Sequence, residues 1–327
     1  MPKKIIVDTD YCTDPGDAGA LAVLFTAHRL GLIEIIGIVA GLSYTTAPYA
    51  IDAQRKWWGL SAIPIAQWTG TAIDASPGAS AAWMDRVYAF PFDLTGGQIL
   101  DSTVAYRTWL AAQTDKVDII TIGYLQSLSA LISSTADGIS SLSGVDLMTA
   151  KVRRVWSMAG AYPSGSAEWN MKGGASAQGF ICTASNNVAT NCPVPVRWFG
   201  FEIASSGDTN TYSGGTFGRN TSTDLIGAAY SDYTTGRPAW DEHAAFAAIY
   251  EGADINWTNG TQTVNTTTGV NTWTSSSGGK DAYATKAVTA SIYKARMNAM
   301  IDVNVASNPI MSSWGSAQGM LQIQGKI

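Results

Sequence analysis

Short apolar runs alternate with segments of helical periodicity along much of the chain. Residues 3–7 form such a run, rich in β-branched side chains and without polar alternation, which is typical of a buried parallel strand. Residues 18–32 carry apolar side chains at roughly helical spacing, which predicts a helix. The same reasoning predicts further strands at 33–39, 63–66, 117–122, 152–158 and 195–201, and further helices at 47–58, 100–113, 125–133 and 240–250. This alternation indicates an α/β fold with a doubly wound, mostly parallel, Rossmann-like sheet.

The remaining segments are longer and more polar. Residues 70–97, with several aromatic side chains, are predicted to be an irregular surface excursion that overhangs the functional site. Residues 258–277 alternate Val and Trp with Thr, Asn and Gly, which predicts a surface β-hairpin, and residues 287–302 are predicted to close as a helix. Because no repeat or long linker divides the sequence, we expect a single domain over residues 1–327.

Four aspartates cluster where an α/β protein builds its site. Asp8, Asp10, Asp14 and Asp17 follow the first predicted strand and lead into the next helix. Ligands bind at this carboxyl edge of open α/β sheets. So many carboxylates repel one another unless a cation holds them, and an all-oxygen ligand set favours calcium or magnesium. The cluster therefore predicts a metal site or a polar ligand site.

Ordinary helix capping is the alternative for two of these acids. The segment 14–17 has aspartate, proline, glycine and aspartate in the order of a helix start, with Asp14 at the N-cap and Asp17 facing the helix dipole. Capping does not account for Asp8 and Asp10, because strand ends do not favour aspartate pairs. A ligand site explains the whole set better.

The charge of the chain bears on which kinds of partner it binds. The chain of 327 residues has a net charge of −5, and only 14% of its residues are charged. An acidic protein of this kind is not expected to bind nucleic acid or an anionic membrane. We find no apolar run long enough to span a bilayer, and no room for a signal peptide before the first strand. We therefore expect a cytoplasmic protein, with a secreted or virion-associated protein as the alternative.

The three cysteines do not have metal-binding spacing. Cys182 and Cys192 flank a polar segment, residues 183–191, which we interpret as a loop. A disulfide between them would suit an oxidising compartment. Two unpaired thiols are the preferred interpretation, since no export signal is visible.

Several segments together resemble the inosine/uridine-preferring nucleoside hydrolases. Asp8-Thr9-Asp10 with Ala18-Gly19-Ala20-Leu21 resembles the amino-terminal signature of that family. Further similar segments, in order, are 119–125 (IITIGYL), 158–162 with 168–170 (MAGAY and EWN), 238–241 (PAWD) and the hairpin at 258–283. The resemblance spans nearly the whole chain, and a chance match of this many segments in order is improbable.

The resemblance implies calcium-dependent hydrolysis of the N-glycosidic bond of ribonucleosides, as in purine and pyrimidine metabolism. It makes Asp10 a Ca²⁺ ligand and the base that activates a Ca²⁺-bound water. It makes Asp17, Asp241 and the carbonyl of Ile122 the other protein ligands. Asp241 has N-capping of its helix as a competing role.

The resemblance also implies how a nucleoside would be held. Glu168 and Asn170 would bind the ribose, and Asp14 is a candidate for its 2′- and 3′-hydroxyls. A solvated polar loop is the alternative for Glu168 and Asn170. Apart from the resemblance, Trp240 is expected to stack on the base, with Trp169 or an aromatic side chain of residues 70–97 as the alternatives, and such stacking favours a broad base preference. We expect a small-molecule nucleoside as partner, and a homo-oligomer.

The sequence departs from the family pattern at three places. Gly16 stands where the first of two adjacent acids belongs, and Asp14 is the candidate replacement. The asparagine usual after the second strand is missing from residues 39–43, and Trp240 replaces a histidine. His243 is interpreted as a surface residue rather than a general acid. These departures motivate a second hypothesis, a binding or structural component, secreted, on a cell surface or in a virion, built on a hydrolase scaffold.

Overall fold

The first strand, β1 (Lys3–Thr9), forms where the apolar run predicts it and continues two residues further. The computed structural model describes residues 2–74, 82–204, 211–212, 224–233 and 237–301. After β1 come α1 (Gly16–Arg29), β2 (Ile33–Ala40), α2 (Ala47–Trp57), β3 (Ile65–Gln67), α3 (Ala82–Tyr88), β4 (Leu100–Asp101), α4 (Ser102–Ala111), β5 (Val117–Thr121), α5 (Gln126–Ser133), α6 (Gly144–Lys151) and β6 (Val152–Met158).

The second half of the chain continues the alternation and then changes to antiparallel strands. Its elements are α7 (Trp169–Lys172), α8 (Gln178–Asn191), β7 (Val196–Phe199), β8 (Thr211–Tyr212), α9 (Leu225–Ala229), β9 (Arg237–Pro238), α10 (Trp240–Ile249), β10 (Ile255–Val264), β11 (Asn271–Ser275), β12 (Asp281–Lys286) and α11 (Ala290–Ile301).

Within the described residues, ten strands make one sheet in the order β11-β10-β12-β7-β6-β5-β1-β2-β3-β4. The pairs from β4 through β12 are parallel, whereas β10 pairs antiparallel with both β11 and β12. The first strand lies between β2 and β5, so successive connections leave it in opposite directions along the sheet. This topological switch point is where open α/β sheets bind their ligands.

Helices cover both faces of the sheet, as a doubly wound fold requires. Side chains alternate along β1: Ile5 and Val7 belong to one apolar cluster, and Ile6 belongs to the other. The first cluster includes α1 and α10, and α1 packs extensively against α10. Since α1 lies between other elements, its side chains are buried from position 16 to position 27. The predicted fold class is confirmed.

Some local predictions were wrong. Residues 70–97 are not irregular throughout, because α3 lies within them; residues 75–81 are outside the described part. The segment 183–191 is not a loop, because it belongs to α8, whose apolar side chains are buried. The predicted hairpin at 258–277 does form, and its strands extend the main sheet with β11 at the outer edge. The end of the predicted last helix, residue 302, also lies outside the described residues.

The cysteines are free, as the preferred interpretation held. Cys182 lies inside α8, and Cys192 follows that helix directly. Ten residues of α-helix span roughly 15 Å, well beyond the Cα separation that a disulfide bridges. In the described part of the chain, no helix is long and apolar enough to cross a membrane.

Candidate active site

The ends of β1 and β5 form the floor of the site. Asp10 follows β1 and Ile122 follows β5, and the amide of Ile122 donates to the carbonyl of Asp8 over 2.8 Å. A β-carbon at Gly123 would lie 2.4 Å from the backbone nitrogen of Asp10, so only glycine fits there. This close approach brings the Ile122 region against Asp10 at the switch point.

A cavity of about 750 Å³ opens above these strand ends. Seven of the eight residues that the sequence assigns to the site line it: Asp10, Asp14, Ile122, Glu168, Asn170, Trp240 and Asp241. The eighth, Asp17, does not line the cavity. It is buried in the first turn of α1, and the hydroxyl of Thr9 donates to its Oδ1. The structure therefore brings the distant segments together around one space, as parallel strand ends predict.

The start of α1 is built around Gly16. Pro15 occupies the N-cap position, which corrects the assignment of that position to Asp14. Asp14 nevertheless accepts a hydrogen bond from the Gly16 amide over 2.7 Å through Oδ1. A β-carbon at Gly16 would lie 2.8 Å from this oxygen. The Asp14 carboxylate thus lies in the space that a side chain at position 16 would enter.

Burial and mutual repulsion dominate the electrostatics of the acids. Burial, and then the neighbouring Asp14, raise the pKa of Asp10 well above its ordinary value. Burial, and then Asp10, do the same to the pKa of Asp17. The pKa of Asp241 is raised by burial and then by Asp17. Such a group of oxygen donors is stabilised by a hard cation or by protons.

The acids fit a hard cation by their chemistry, but their present side-chain positions do not enclose one. No three histidine, cysteine, aspartate or glutamate side chains among the described residues form a group that could hold a metal ion. In this arrangement Oδ1 of Asp17 accepts a hydrogen bond from the hydroxyl of Thr9. Oδ2 of Asp10 accepts one from the hydroxyl of Thr13 over 3.2 Å.

Glu168 and Asn170 line the cavity at the start of the short helix α7. Glu168 is the N-cap of α7 and accepts from the amides of Asn170 and Gly160 over 3.0 and 2.8 Å. The side-chain amide of Asn170 donates to the carbonyl of Met158 over 2.9 Å. Burial raises the pKa of Glu168 to about 7, although these backbone amides oppose the shift. Both side chains are buried, so the solvated-loop alternative is wrong.

An aromatic group forms the outer rim of the cavity. The indole N–H of Trp240 donates to the carbonyl of Phe201 over 2.8 Å, and the two rings stack with centroids 5.2 Å apart. Arg237 lies over the same indole at 4.9 Å. Trp169 and Phe201 both line the cavity and expose 47% and 48% of their surface. These exposed rings offer stacking surface to a planar ligand.

The capping alternative for Asp241 and the surface position expected for His243 were both wrong. Ala239 precedes the helix as its N-cap, so Asp241 lies in the first turn and does not cap it. His243 is fully buried instead of exposed, and its ring stacks on Tyr293 with centroids 4.1 Å apart. Burial lowers the pKa of His243 to about 4. His243 does not line the cavity, which agrees with leaving it out of the chemistry.

Sequence reasoning missed three residues that the fold places at the cavity. Asp74 lines it and accepts a hydrogen bond from the hydroxyl of Tyr124. Phe201 and Arg237 complete the aromatic rim. None of the three lies in a quoted family segment. Position gave two signals: residues 70–97, which contain Asp74, were expected to overhang the site, and Phe201 ends a predicted strand at the carboxyl edge of the sheet.

Comparison with known proteins gives structural likeness without sequence likeness. No protein-family model and no curated protein matches the chain. An inosine-uridine preferring nucleoside hydrolase from Bacillus anthracis superposes with a TM-score of 0.68 at 14% identity, covering 92% of this chain and 100% of its own. A purine-preferring ribonucleoside hydrolase from Gardnerella vaginalis gives a TM-score of 0.66 at 13% identity, covering 93% of this chain and 98% of its own.

A third neighbour has another role. The type III effector protein XopQ, complexed with adenosine diphosphate ribose, gives a TM-score of 0.66 at 12% identity and covers 93% of both chains. Identities this low establish the architecture alone. With the parallel sheet, the switch-point cavity and the carboxyl-terminal hairpin described above, these likenesses show that the chain has the fold of the nucleoside hydrolases.

Proposed function

We propose that the protein hydrolyses the N-glycosidic bond of ribonucleosides to give the free base and ribose. The observation that carries the proposal is the assembly of Asp10, Asp241, Glu168 and Asn170 around one cavity at the switch point of a nucleoside-hydrolase fold. These residues come from three separate segments of the chain, and they match the acids and amide that the family resemblance assigns to this reaction. The cavity is also of a size that suits a small ligand.

Calcium is the proposed cofactor, since the donors are carboxylates and a carbonyl. Asp10, Asp17, Asp241 and the carbonyl of Ile122 would hold it, with Asp17 turning from the hydroxyl of Thr9. When bound, Ca²⁺ lowers the pKa of a coordinated water and orients the sugar hydroxyls. Its charge would also relieve the repulsion that raises the pKa values of these acids.

The side chains supply the remaining chemistry. Asp10 accepts the proton of the attacking water through its carboxylate, as a general base within the cavity. The ribose gains positive charge as the glycosidic bond breaks, and nearby carboxylates stabilise that charge. Glu168 and Asn170 bind the ribose from positions fixed by their bonds to Gly160 and Met158. Asp14 is proposed to contact the 2′- and 3′-hydroxyls.

The direct test is release of ribose. Purified protein in excess calcium should liberate ribose from inosine or uridine, and Asp10→Asn should lower kcat by orders of magnitude without loss of folding. Asp115→Asn, at an exposed aspartate far along the chain, is the matched control and should keep full activity. Absence of ribose release from every common nucleoside refutes the enzyme.

The second candidate is a binding protein on the same scaffold. It is favoured by two observations: the described acids do not form a metal-holding group, and an effector protein with bound adenosine diphosphate ribose shares the fold. Calorimetry with ribose separates the two candidates. Stabilisation by millimolar ribose supports a working sugar site, whereas no stabilisation favours the scaffold.

Several wider properties stay predictions. We propose one domain over residues 1–327, a small-molecule nucleoside as ligand and association into homo-oligomers. The cytoplasmic location and its secreted or virion-associated alternative likewise stay predictions.

A further inference from the structure

Arg237 is the one cationic residue among the described residues that line the cavity. The acids of the lining are Asp10, Asp14, Asp74, Glu168 and Asp241. Arg237 belongs to β9, immediately before α10, and so it lies beside the aromatic rim. The lining therefore holds five carboxyl groups and, among the described residues, one guanidinium, which lies at the aromatic side of the cavity.

The guanidinium is fixed in place but keeps donors free. Its Nη2 donates to Oδ2 of Asp14 over 2.6 Å. Its Cζ lies 4.9 Å from the ring centre of Trp240 and 5.8 Å from that of Tyr233. The side chain is 30% exposed, and within the described part of the chain Asp14 is its hydrogen-bond partner while Nε has none. Further N–H groups of the fork are thus available to a ligand.

The guanidinium of Arg237 stays protonated and positively charged. Burial lowers the pKa of Arg237, but the carboxylate of Asp14 more than offsets that effect, so the pKa lies above its ordinary value. Arginine does not give up its proton under such conditions. It acts on a ligand through charge and hydrogen bonds.

When the glycosidic bond of a nucleoside breaks heterolytically, positive charge develops on the ribose and negative charge on the base. The cavity offers carboxyl groups for the first and Arg237 for the second. The C1′–N bond breaks with its electron pair going to the base, the oxygen of water bonds to C1′, and the proton of that water passes to Asp10. The ribose becomes cationic on the way, and the base becomes anionic until solvent protonates it. Carboxylates suit the ribose side, and a cation suits the base side.

We propose that Arg237 is a catalytic residue that stabilises the negative charge of the departing base. This inference rests on the proposed nucleoside hydrolysis. It supplies the leaving-group activation for which the buried His243 is not available. The rings of Trp240 and Phe201 would hold the base beside the guanidinium, so that an N–H of Arg237 meets an acceptor on the base edge.

The test compares leaving groups of different quality. Arg237→Met should lower kcat on inosine and uridine on the order of 100-fold, but change kcat on p-nitrophenyl riboside by less than about threefold, because nitrophenolate leaves without help. Arg237→Lys keeps the positive charge but not the planar guanidinium, so its kcat on the nucleosides should fall less than that of Arg237→Met. Asp14→Asn breaks the same ion pair and should affect all three substrates alike.

The outcomes separate this inference from the function on which it rests. If kcat of Arg237→Met or Arg237→Lys falls by the same factor on the nucleosides and on the nitrophenyl riboside, Arg237 only positions Asp14 and the inference is overturned. The lysine variant decides the matter if the methionine variant does not fold. If the wild-type protein cleaves none of the three substrates, the proposed function itself fails, and the role of Arg237 fails with it.

Discussion

A β-carbon at position 16 would lie 2.5 Å from Oδ2 of Asp241, so the start of α1 and this carboxylate leave no space between them. Real β-carbons essentially never approach another atom so closely. Gly16 thus lets the Asp241 carboxylate reach the helix start, where the Gly16 amide also donates to Asp14. The glycine that departs from the family pattern has a steric role in this site.

Gly16→Ala should therefore weaken the site without unfolding the protein. The new methyl group displaces the carboxylates of Asp241 and Asp14, while alanine in a helix changes stability by no more than about 1 kcal/mol. We expect weaker calcium binding by calorimetry and lower kcat, with a free energy of unfolding that stays within about 1 kcal/mol of the wild-type value. Gly138→Ala is the control, because nothing lies within 4 Å of its β-carbon. Calcium affinity equal to that of the wild-type protein would contradict the steric argument.

Trp240→Ala should slow the reaction by removing the indole from the aromatic rim. Loss of a stacking ring is expected to cost about 1–3 kcal/mol in transition-state binding, with similar losses on purine and pyrimidine nucleosides. Steady-state kcat/KM on inosine and uridine measures this, and p-nitrophenyl riboside should suffer less. Trp240→Phe retains a ring and loses the bond to the Phe201 carbonyl, so it should keep most activity. If Trp240→Ala loses equally on nucleosides and on the nitrophenyl riboside, Trp240 merely packs beneath Asp241.

Glu168 should make stability depend on pH. Its pKa is raised by burial to about 7 in the folded protein, above the ordinary 4.5, so folding favours its protonated form. That contribution is fully present below pH 4.5 and is lost as the pH rises through 7, with a size of about 3 kcal/mol. Urea denaturation of the wild-type protein and Glu168→Gln across this range should show the wild-type protein losing stability relative to the variant. Parallel curves for the two proteins would contradict the shifted pKa.

Asp118→Asn should destabilise the fold without touching the chemistry. The Asp118 carboxylate is fully buried at the amino ends of the strands and accepts from Arg153 over 2.8 and 2.7 Å and from Trp156 over 2.8 Å. Because Arg153 stays partly exposed, we expect a loss of about 2 kcal/mol. Glu251→Gln, at a half-exposed partner of the same arginine, should lose less than about 1 kcal/mol. Chemical denaturation measures both variants, and a large loss of kcat in Asp118→Asn would place this network in the active site.

Much of the fold could be predicted because the relevant signals are local. The apolar run of β1 and the helical spacing of α1 report directly on which side chains are buried. The prediction was wrong for residues 183–191, where many polar side chains suggested a loop. In the structure this segment is the second half of α8, which buries Ala184, Ser185, Val188 and Ala189 along one side of the helix. Because most residues of the segment are polar, its few buried positions did not stand out in the sequence as one side of a helix.

The position of the site could also be predicted from sequence, but its internal contacts could not. Asp10 and Ile122 end neighbouring parallel strands, and chain order places such ends at one edge of the sheet. The pairing of Arg237 with Asp14 joins residues 223 positions apart and follows from no spacing rule. His243 was misplaced for a similar reason, because an alanine-rich helix gives no sign of which elements will cover it.

The order of strands and helices, the cluster of acids after β1 and the resemblance to the nucleoside hydrolases can all be seen in the sequence, because each depends on residues that are close together in the chain. Which side chains meet across the fold depends on tertiary packing. It placed the carboxylate of Asp14 in the space beside Gly16, put Arg237 against Trp240, and buried Glu168 deeply enough to raise its pKa. Burial and contact between distant segments arise only when the chain packs, and they set the charges with which this cavity would act.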